Sequence, residues 1–267
     1  MRIVVCVKQV PNPEISASQY NVNEQAHTVA PVAGVQWVMS PFDEQAVEAA
    51  LRIRDAQPVT TITVMSLGPE RARSVIKHGL AMGADDGVLL ADAAFAGSDG
   101  YTTALTLAAA IRKVGDVDLV LTGRQAADWD GGTVGAGIGE MLGVPVISFA
   151  KEVRIEDGVA RVERVLDDGT ETVEVSLPAV VTVSNELGTP RAPSLRETMR
   201  AARKPVAAWS ASDLGLAAGT VGAAGAREIC ERMFIPVKQN RCELIAGGSP
   251  EEQAAHLAQR LREAKLI

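Results

Sequence analysis

Five short, nearly continuous apolar runs divide the first 150 residues of the chain. They are Ile3 to Val7, Thr60 to Met65, Gly87 to Leu90, Leu119 to Thr122 and Val144 to Phe149. Runs of this length and composition are typical of strands covered on both faces. Because helical spacing fills the segments between them, the pattern predicts βαβ units that feed a doubly wound, mostly parallel sheet of the α/β class.

Four helices are predicted among these strands. The best-marked one begins at Ser40-Pro41-Phe42-Asp43, with a serine N-cap, a proline at the first helical position and an acid at the third. A second runs from Pro69 to about Met82, and Gly83 is placed to end it in the left-handed conformation. The third covers about Thr102 to Val114, and the fourth starts near Gly132.

The turn signals change after residue 150. Asp157-Gly158 and Asp168-Gly169 are strong hairpin turns. They join three β-rich runs, which are Val153 to Ile155, Ala160 to Val165 and Thr170 to Val175. We therefore expect an antiparallel extension over about 151–177. Pro178 to Val183 then has the composition of another buried strand.

The remainder of the chain is predicted to leave this domain. A polar, basic segment at about 187–205 contains one amphipathic stretch, Leu195 to Ala202. Leu214 to Ala226 is rich in glycine and alanine and has little to pack with, which predicts an extended arm. A last helix, capped by Ser249, is predicted from Pro250 to about Lys265. The chain thus divides into an α/β domain over 1–205 and a C-terminal arm and helix over 206–267.

Composition and charge exclude several classes of function. The net charge of −7 opposes binding to nucleic acid, and an aromatic content of 3% removes the stacking surfaces that single-strand binders use. No apolar run approaches the roughly 18 residues of a membrane span, so we expect no stable membrane insertion. The N-terminal apolar run is too short for a signal peptide, and Cys6, Cys230 and Cys242 lack CxxC spacing. We expect a cytoplasmic protein with neither a disulfide framework nor a zinc site.

Catalytic motifs are absent from the sequence. There is no P-loop, no nucleophile elbow, no HExxH and no complete GxGxxG at a strand end. His27, His78 and His256 lie far apart and have no partnering carboxylate pattern. We expect no general acid, general base, nucleophile or metal ligand, and therefore no enzyme activity of the chain's own.

Three unusual loops follow predicted strands, at the edge where open α/β sheets bind ligands. In the longest of them, Gly131 and Gly132 leave backbone N–H groups unobstructed at a helix N-terminus, which favours an anion such as a nucleotide phosphate. Thr133 adds a hydroxyl donor, while Asp128 and Asp130 suit ribose hydroxyls or fix the turn. An ordinary capped, glycine-rich turn is the alternative. The three loops are Lys8-Gln9-Val10-Pro11, Ser66-Leu67-Gly68-Pro69 and Gly123 to Thr133.

Several motifs in a fixed order and spacing carry a family resemblance. They are Val7-Lys8-Gln9-Val10-Pro11, Ser40 to Ala50, Met82-Gly83-Ala84-Asp85, Gly123-Arg124-Gln125-Ala126, and Pro178 to Val183 followed by Asn185-Glu186 and Pro190-Arg191. Any one alone is modest evidence. Together they make the chain resemble the electron transfer flavoprotein β subunit family over essentially its whole length.

The resemblance implies a Rossmann-like, adenine-nucleotide-binding fold and a heterodimer. An α subunit would hold most of a redox-active FAD, this subunit would close over it, and the C-terminal arm and helix would pack on that partner. The family's own nucleotide contacts fall on Cys6, Ser40 to Asp43, Leu67 and Ala126 to Gly137, although Ser40 replaces an asparagine common in the family. With the loops above, the candidate cofactor-binding residues are Cys6, Lys8, Ser40, Pro41, Phe42, Asp43, Leu67, Gly123, Gln125, Ala126, Ala127, Asp128, Asp130, Gly131, Gly132, Thr133, Val134, Gly135 and Gly137.

The nucleotide in this subunit is AMP in some members of the family and a second FAD in the electron-bifurcating members. Val7 to Pro11 and Gly123 to Ala126 look like the bifurcating form, as does the tail through Ala223 to Gly225 and Phe234-Ile235-Pro236. These features favour FAD. Asp130 to Gly135 departs from the usual sequence of both groups.

The basic stretch from Pro190 to Arg200 resembles the loop by which these proteins dock on acyl-CoA dehydrogenases. Leu195 and Met199, four residues apart, form a small apolar anchor. Arg191, Arg196 and Arg200 would steer the loop toward acidic partners. The alternative is an ordinary solvated helix that packs its apolar face inward.

The resemblance implies that electrons pass from a partner dehydrogenase into FAD at the subunit interface and onward to an acceptor. With a second FAD, NADH-linked bifurcation becomes possible. Two alternatives stay open: an ATP-binding or ATP-hydrolysing module on the same fold, and a structural subunit that binds AMP without an electron-transfer role.

Overall fold

The computed structural model describes residues 1–236 and 242–267. These residues form two compact units, of which one comprises Met1–Asn21 with Val29–Glu231 and the other comprises Val22–Thr28 with Arg232–Ile267. The predicted C-terminal arm therefore contributes to both units, and its residues 237–241 lie outside the described residues.

Most strands of the described chain belong to one sheet. The strands are β1 Arg2–Cys6, β2 Gln9–Pro11, β3 Tyr20–Asn23, β4 Thr28–Pro31, β5 Trp37–Met39, β6 Thr61–Leu67, β7 Asp86–Leu90, β8 Leu119–Gly123, β9 Val146–Glu156, β10 Val159–Leu166, β11 Gly169–Ser176, β12 Ala179–Val183 and β13 Ala207–Trp209. Nine of them form the sheet, in the order β11-β10-β9-β12-β8-β1-β6-β7-β13. The short strands β2 and β5 pair separately.

The nine-stranded sheet is parallel from β9 to β13, and β10 and β11 extend it antiparallel, as predicted. The chain changes direction across the sheet at β1. Strands β6 and β7 lie on one side of β1, and β8 and β12 lie on the other. The topological switch point, where open α/β sheets hold ligands, is therefore between β1 and β8.

Helices cover both faces of this sheet. Val47 and Ile76 pack on one face, and Leu107 and Ile138 pack on the other. This confirms the predicted doubly wound α/β class. Within the described ranges, no helix combines the length and apolarity needed to cross a membrane. The helices are α1 Pro41–Ala56, α2 Arg73–Met82, α3 Gly100–Val114, α4 Val134–Leu142, α5 Leu195–Arg203, α6 Gly222–Gly225 and α7 Pro250–Glu263.

The N-terminus of α3 is closed by its own side chains. Asp99 Oδ1 accepts a hydrogen bond from Thr102 N at 2.8 Å, and Thr102 Oγ1 accepts one from Asp99 N at 3.1 Å. The second carboxylate oxygen of Asp99 accepts from the backbone N–H groups of Arg227 at 2.6 Å and Glu228 at 3.0 Å. Although burial opposes ionisation, these hydrogen bonds lower the pKa of Asp99 to about 2.

The strands predicted at Val144 to Phe149 and Val153 to Ile155 are one continuous strand, β9. Its pairing shifts register with both β10 and β12. Phe149 adopts φ +62 at this irregularity, a left-handed conformation that is rare for a bulky residue. A β-bulge interrupts the apolar alternation, which explains why the pattern predicts two strands.

The chain after residue 205 continues the sheet and then packs against it. Strand β13 pairs in parallel with β7, beyond the predicted domain boundary. The prediction of an extended arm at Leu214 to Ala226 is wrong, because Val221 is fully buried and Ala223 N donates to Ala96 O at 2.8 Å. Small residues let this segment lie close to its neighbours instead of keeping it extended.

The helix predicted from Pro250 is α7, which belongs to the second unit. Ser249 caps it by accepting a hydrogen bond from Glu252 N at 3.3 Å, and Arg260 pairs with Glu243 at 2.7 Å. In the described part of the chain, no α7 side chain is buried.

Candidate functional site

Asp43 joins the two loops at the switch point. Its buried carboxylate accepts a hydrogen bond from Lys8 N, just after β1, at 2.7 Å. It accepts a second from Gly123 N, at the end of β8, at 3.0 Å. Burial outweighs these hydrogen bonds and raises the pKa of Asp43 to about 7. Asp43, predicted both as the first-turn acid of a helix and as a nucleotide contact, thus holds the two ligand-side loops together.

Ser40 also contacts the loop that follows β8. It is the N-cap residue of α1, as predicted, with Pro41 at the first helical position, but its side chain makes no capping hydrogen bond. The Ser40 hydroxyl instead accepts from Ala127 N at 3.3 Å. Phe42, next in the helix, lies 5.5 Å by its ring centroid from the guanidinium of Arg124. The start of α1 therefore anchors the loop that follows β8.

The acids of that loop fix its turn. Lys8 Nζ pairs with Asp128 at 2.8 Å, and Gln125 Nε2 donates to Asp130 Oδ1 at 2.8 Å. Asp130 N donates to Ala126 O at 2.9 Å, and Asp130 adopts φ +51. Of the two roles left open by the sequence, this arrangement favours turn formation over contact with ribose hydroxyls.

The N-terminus of α4 is open, in contrast to that of α3. Thr133 stands at the N-cap in a helical conformation, from which its side chain makes no capping hydrogen bond. Gly132 adopts φ +66, and a side-chain carbon at Gly131 would meet no atom within 4 Å. Since no side chain of the described residues caps this end, the N–H groups of the first turn, beginning at Val134, are available to an anion. The residues fit a nucleotide phosphate.

Gly135 and Gly137 lie where α4 packs closely against other elements. A side-chain carbon at Gly135 would lie 2.5 Å from Thr182, and one at Gly137 would lie 2.8 Å from Ala104. These glycines let α4 approach the sheet and α3 closely. Their absence of side chains is explained by helix packing, without a ligand.

The remaining predicted contacts lie at the ends of β1 and β6. Cys6 is buried, and burial, with Asp43 nearby, raises the pKa of its thiol to about 12. Leu67 is half-buried against the core. Ser66, which precedes Leu67, was not predicted as a contact, yet its buried hydroxyl has no hydrogen-bond partner in the described structure. Such an unpaired buried group calls for a ligand or other explanation, and its place in a strand-end loop was the available sequence signal.

Arg124 is a second residue that sequence reasoning missed. Its guanidinium lies 5.5 Å from the ring centroids of both Phe42 and Phe149, and it donates to Ser184 Oγ at 3.3 Å. These contacts hold a permanent positive charge at the ligand edge of β8. Its place in the motif Gly123-Arg124-Gln125-Ala126 was the available sequence signal.

The predicted docking segment contains α5, which begins at a capping box formed by Ser194 and Glu197. Leu195 is 78% exposed and Met199 is 56% exposed. Arg196 and Arg200 are also exposed on this helix. The apolar pair faces solvent in the described structure and does not pack inward.

Arg191, predicted to steer partners, forms ion pairs with acids of α1. Its guanidinium pairs with Glu48 at 2.8 Å and with Asp55 at 2.8 Å, and its backbone N–H donates to Glu48. Although burial opposes ionisation, hydrogen bonds from Arg191 and Arg52 lower the pKa of Glu48. Arg191 therefore ties the segment to α1. Its local sequence, rich in basic residues, gave no sign of the acids that it meets.

The site geometry is suited to binding and positioning. In the residues described, no group of three or more His, Cys, Asp or Glu side chains is arranged to hold a metal ion. The switch point carries instead an open helix N-terminus, two loops joined by a buried acid and one fixed arginine. These features define a doubly wound, Rossmann-like α/β protein with a candidate anion site at its switch point.

Comparisons with known proteins extend this class to a family. Residues 29–214 match the family model described as the electron transfer flavoprotein domain. The chain is 39% identical over 267 residues to the caffeyl-CoA reductase-Etf complex subunit CarD of Acetobacterium woodii, covering 100% of both chains. It is 35% identical over 260 residues to the electron transfer flavoprotein subunit beta of Megasphaera elsdenii, covering 95% of this chain and 94% of that one. The chain belongs to the electron transfer flavoprotein β subunit family, whose members carry electrons.

Proposed function

We propose that this chain is the β subunit of an electron transfer flavoprotein heterodimer, and that it holds an adenine nucleotide at the switch point between β1 and β8. The observation that carries the proposal is the uncapped N-terminus of α4, in a loop fixed by Asp43 and Ser40. The N–H groups at Val134 and the hydroxyl of Thr133 would hold the phosphate. Family membership supports the nucleotide and the partner subunit.

FAD would supply the electron chemistry when bound, because its ring accepts and releases one or two electrons. The residues of this chain would bind and orient the nucleotide and exclude water from it. Their expected task is to fix the cofactors so that electrons from a dehydrogenase pass through FAD to an acceptor. The exposed surface of α7 supports packing of the C-terminal helix on the α subunit.

FAD is the preferred nucleotide of this subunit, with AMP as the other candidate. The similarity to CarD, named as part of a caffeyl-CoA reductase-Etf complex, supports the bifurcating type. Acid release of ligands from the purified heterodimer decides between them. Two FAD per heterodimer supports bifurcation, one FAD with one AMP supports a simple carrier, and a colourless complex that retains ATP would contradict the proposal.

A negative charge introduced at the N-terminal end of α4 tests the binding site. Gly131→Asp fits the open space at Gly131 and adds a carboxylate that repels phosphate. We expect about fivefold weaker nucleotide binding, in line with the roughly 1 kcal/mol of such helix-end charges. Gly131→Asn is the matched control, since it adds the same shape without charge. Equal nucleotide affinities of the two variants would contradict the binding of a phosphate at the N-terminus of α4.

The exposed apolar pair on α5 supports docking on a dehydrogenase of the acyl-CoA type. Leu195→Ala should slow electron transfer from such a dehydrogenase about tenfold, as expected for an interface anchor. Flavin content should remain unchanged. Val59→Ala is the control, because Val59 is also strongly exposed but lies outside the segment. An unchanged transfer rate would exclude α5 from docking, while Arg191 would remain its tether to α1.

A further inference from the structure

Trp129 presents a bare indole ring in the candidate nucleotide loop. It is 65% exposed and stands between two residues that are both tied to the scaffold. Asp128 pairs with Lys8 at 2.8 Å, and Asp130 accepts from Gln125 Nε2 at 2.8 Å. Because both neighbours are held, the backbone that carries the indole belongs to an ordered turn.

The other exposed aromatic side chains are each covered by an arginine. Trp37 is 36% exposed and has Arg71 at 4.2 Å from its ring centroid. Phe149 is 41% exposed with Arg124 at 5.5 Å, and Phe234 is 49% exposed with Arg232 at 4.5 Å. In the parts of the chain that the structure describes, no cation lies over Trp129. The most exposed ring is thus the one without a cover.

The surroundings of Trp129 restrict what can cover it. An indole carries a large apolar face that is normally buried or stacked. The carboxylates of Asp128 and Asp130 on either side disfavour an anionic group against that face. The same loop continues through Gly131 and Gly132 to the open N-terminus of α4, where a phosphate fits. A molecule with a phosphate at one end and a neutral, planar ring at the other matches both features.

We propose that Trp129 is a stacking platform for the adenine ring of the nucleotide held at α4. The proposal rests on the proposed function and adds a specificity-determining residue to it. Adenine is common to AMP and FAD, so the platform would serve either nucleotide. The phosphate would fix one end of the ligand, and the indole would select a planar ring at the other.

Intrinsic fluorescence of the heterodimer tests the proposal. The chain has three tryptophans, so Trp37→Phe with Trp209→Phe leaves Trp129 as its single tryptophan. The same complex with Trp129→Phe gives the background of the partner subunit. After removal of bound nucleotide, AMP should quench the emission of Trp129, whereas ribose 5-phosphate, which has no base, should leave it unchanged.

Affinity measurements give the second readout. Trp129→Ala should weaken binding of both AMP and FAD about tenfold, within the range for loss of one base–aromatic stack. Trp129→Phe should retain most of the affinity, since it keeps an aromatic face. Binding of ribose 5-phosphate should be equal in all three proteins.

Each failure has a distinct meaning. Equal AMP affinity of wild type and Trp129→Ala would overturn the stacking platform but leave the phosphate site intact. Failure of Trp129→Ala to assemble with the α subunit would overturn it in favour of a subunit contact at the indole. If neither AMP nor FAD binds wild type, the proposed function fails as well.

Discussion

The N-termini of α3 and α4 follow two parallel strands at the same edge of the sheet, yet they are completed in opposite ways. At α3, Asp99 supplies a carboxylate that bonds the first turn and the backbone at Arg227 and Glu228. At α4, Thr133 makes no such bond, and glycines precede it. Each helix end favours negative charge. The protein provides that charge itself at α3, whereas at α4 none of the described residues provides it, which is why we propose a ligand there.

This difference separates structural from binding ends of otherwise similar helices. An acid at an N-cap accepts hydrogen bonds from the free N–H groups of the first helical turn and leaves no room for a phosphate there. An open end is useful only if the surrounding loop is held without it, and here Asp43 and Ser40 do that from α1. Asp43 therefore holds in place the loop that precedes α4, where no N-cap side chain does so.

The largest expected effect concerns Asp43. Because burial raises its pKa to about 7, above the ordinary value of 3.8, the folded state retains a proton that the unfolded state releases between these values. The contribution of this group to stability is therefore lost as pH rises from about 4 to 7, with a slope on the order of 1 kcal/mol per pH unit. Urea unfolding at several pH values should show this slope in wild type and not in Asp43→Asn. Parallel curves would contradict the role of burial, and Asp116→Asn controls for loss of an exposed acid.

The next effect concerns the cap that the protein supplies. Asp99→Ala removes the capping bond of α3 and two hydrogen bonds to residues 227 and 228, and should cost about 2 kcal/mol in urea unfolding. Since the pKa of Asp99 is lowered to about 2, this stability should be present above pH 4 and disappear as pH falls from about 4 to 2. Glu140→Ala, on the surface of α4, should change stability little. A loss as small as that of the control would remove the distinction between the two helix ends.

The smallest effect separates the two glycines before α4. Gly132→Ala places a side chain at φ +66 and should cost about 1 kcal/mol, because the left-handed conformation disfavours a Cβ atom. Gly131→Ala adds the same methyl group into open space and should change stability by less than about 0.5 kcal/mol. Urea unfolding of the pair measures the difference. Equal losses would show that the turn is not held in the described conformation.

Local signals predicted the framework because each strand and helix carries its own pattern. The continuous apolar run at Leu119 gives β8, and Ser40-Pro41 marks the start of α1 at the residue where the structure begins it. The three candidate loops were located by the same reasoning, since ligand loops follow strands. The glycine pair before α4 also predicted the uncapped N-terminus of this helix.

The features that the sequence did not predict depend on contacts between residues far apart in sequence. The sequence predicts Asp43 as a first-turn acid and a nucleotide contact, but not as the link between two loops, because its partners, Lys8 and Gly123, are far away in sequence. Arg191 looked like a solvated charge until Glu48, on α1, was brought beside it. Small residues near Val221 suggested an extended arm because their fit against neighbouring backbone leaves no apolar pattern. Such pairings arise only when the sheet is assembled.

The buried thiol of Cys6 has a chemical consequence. Oxidants and alkylating reagents attack the thiolate, and a thiol with a pKa of about 12 is almost wholly protonated at neutral pH. Burial in the core and the nearby carboxyl group of Asp43 therefore make the sulfur at the end of β1 resistant to alkylation and to oxidation to sulfenic acid.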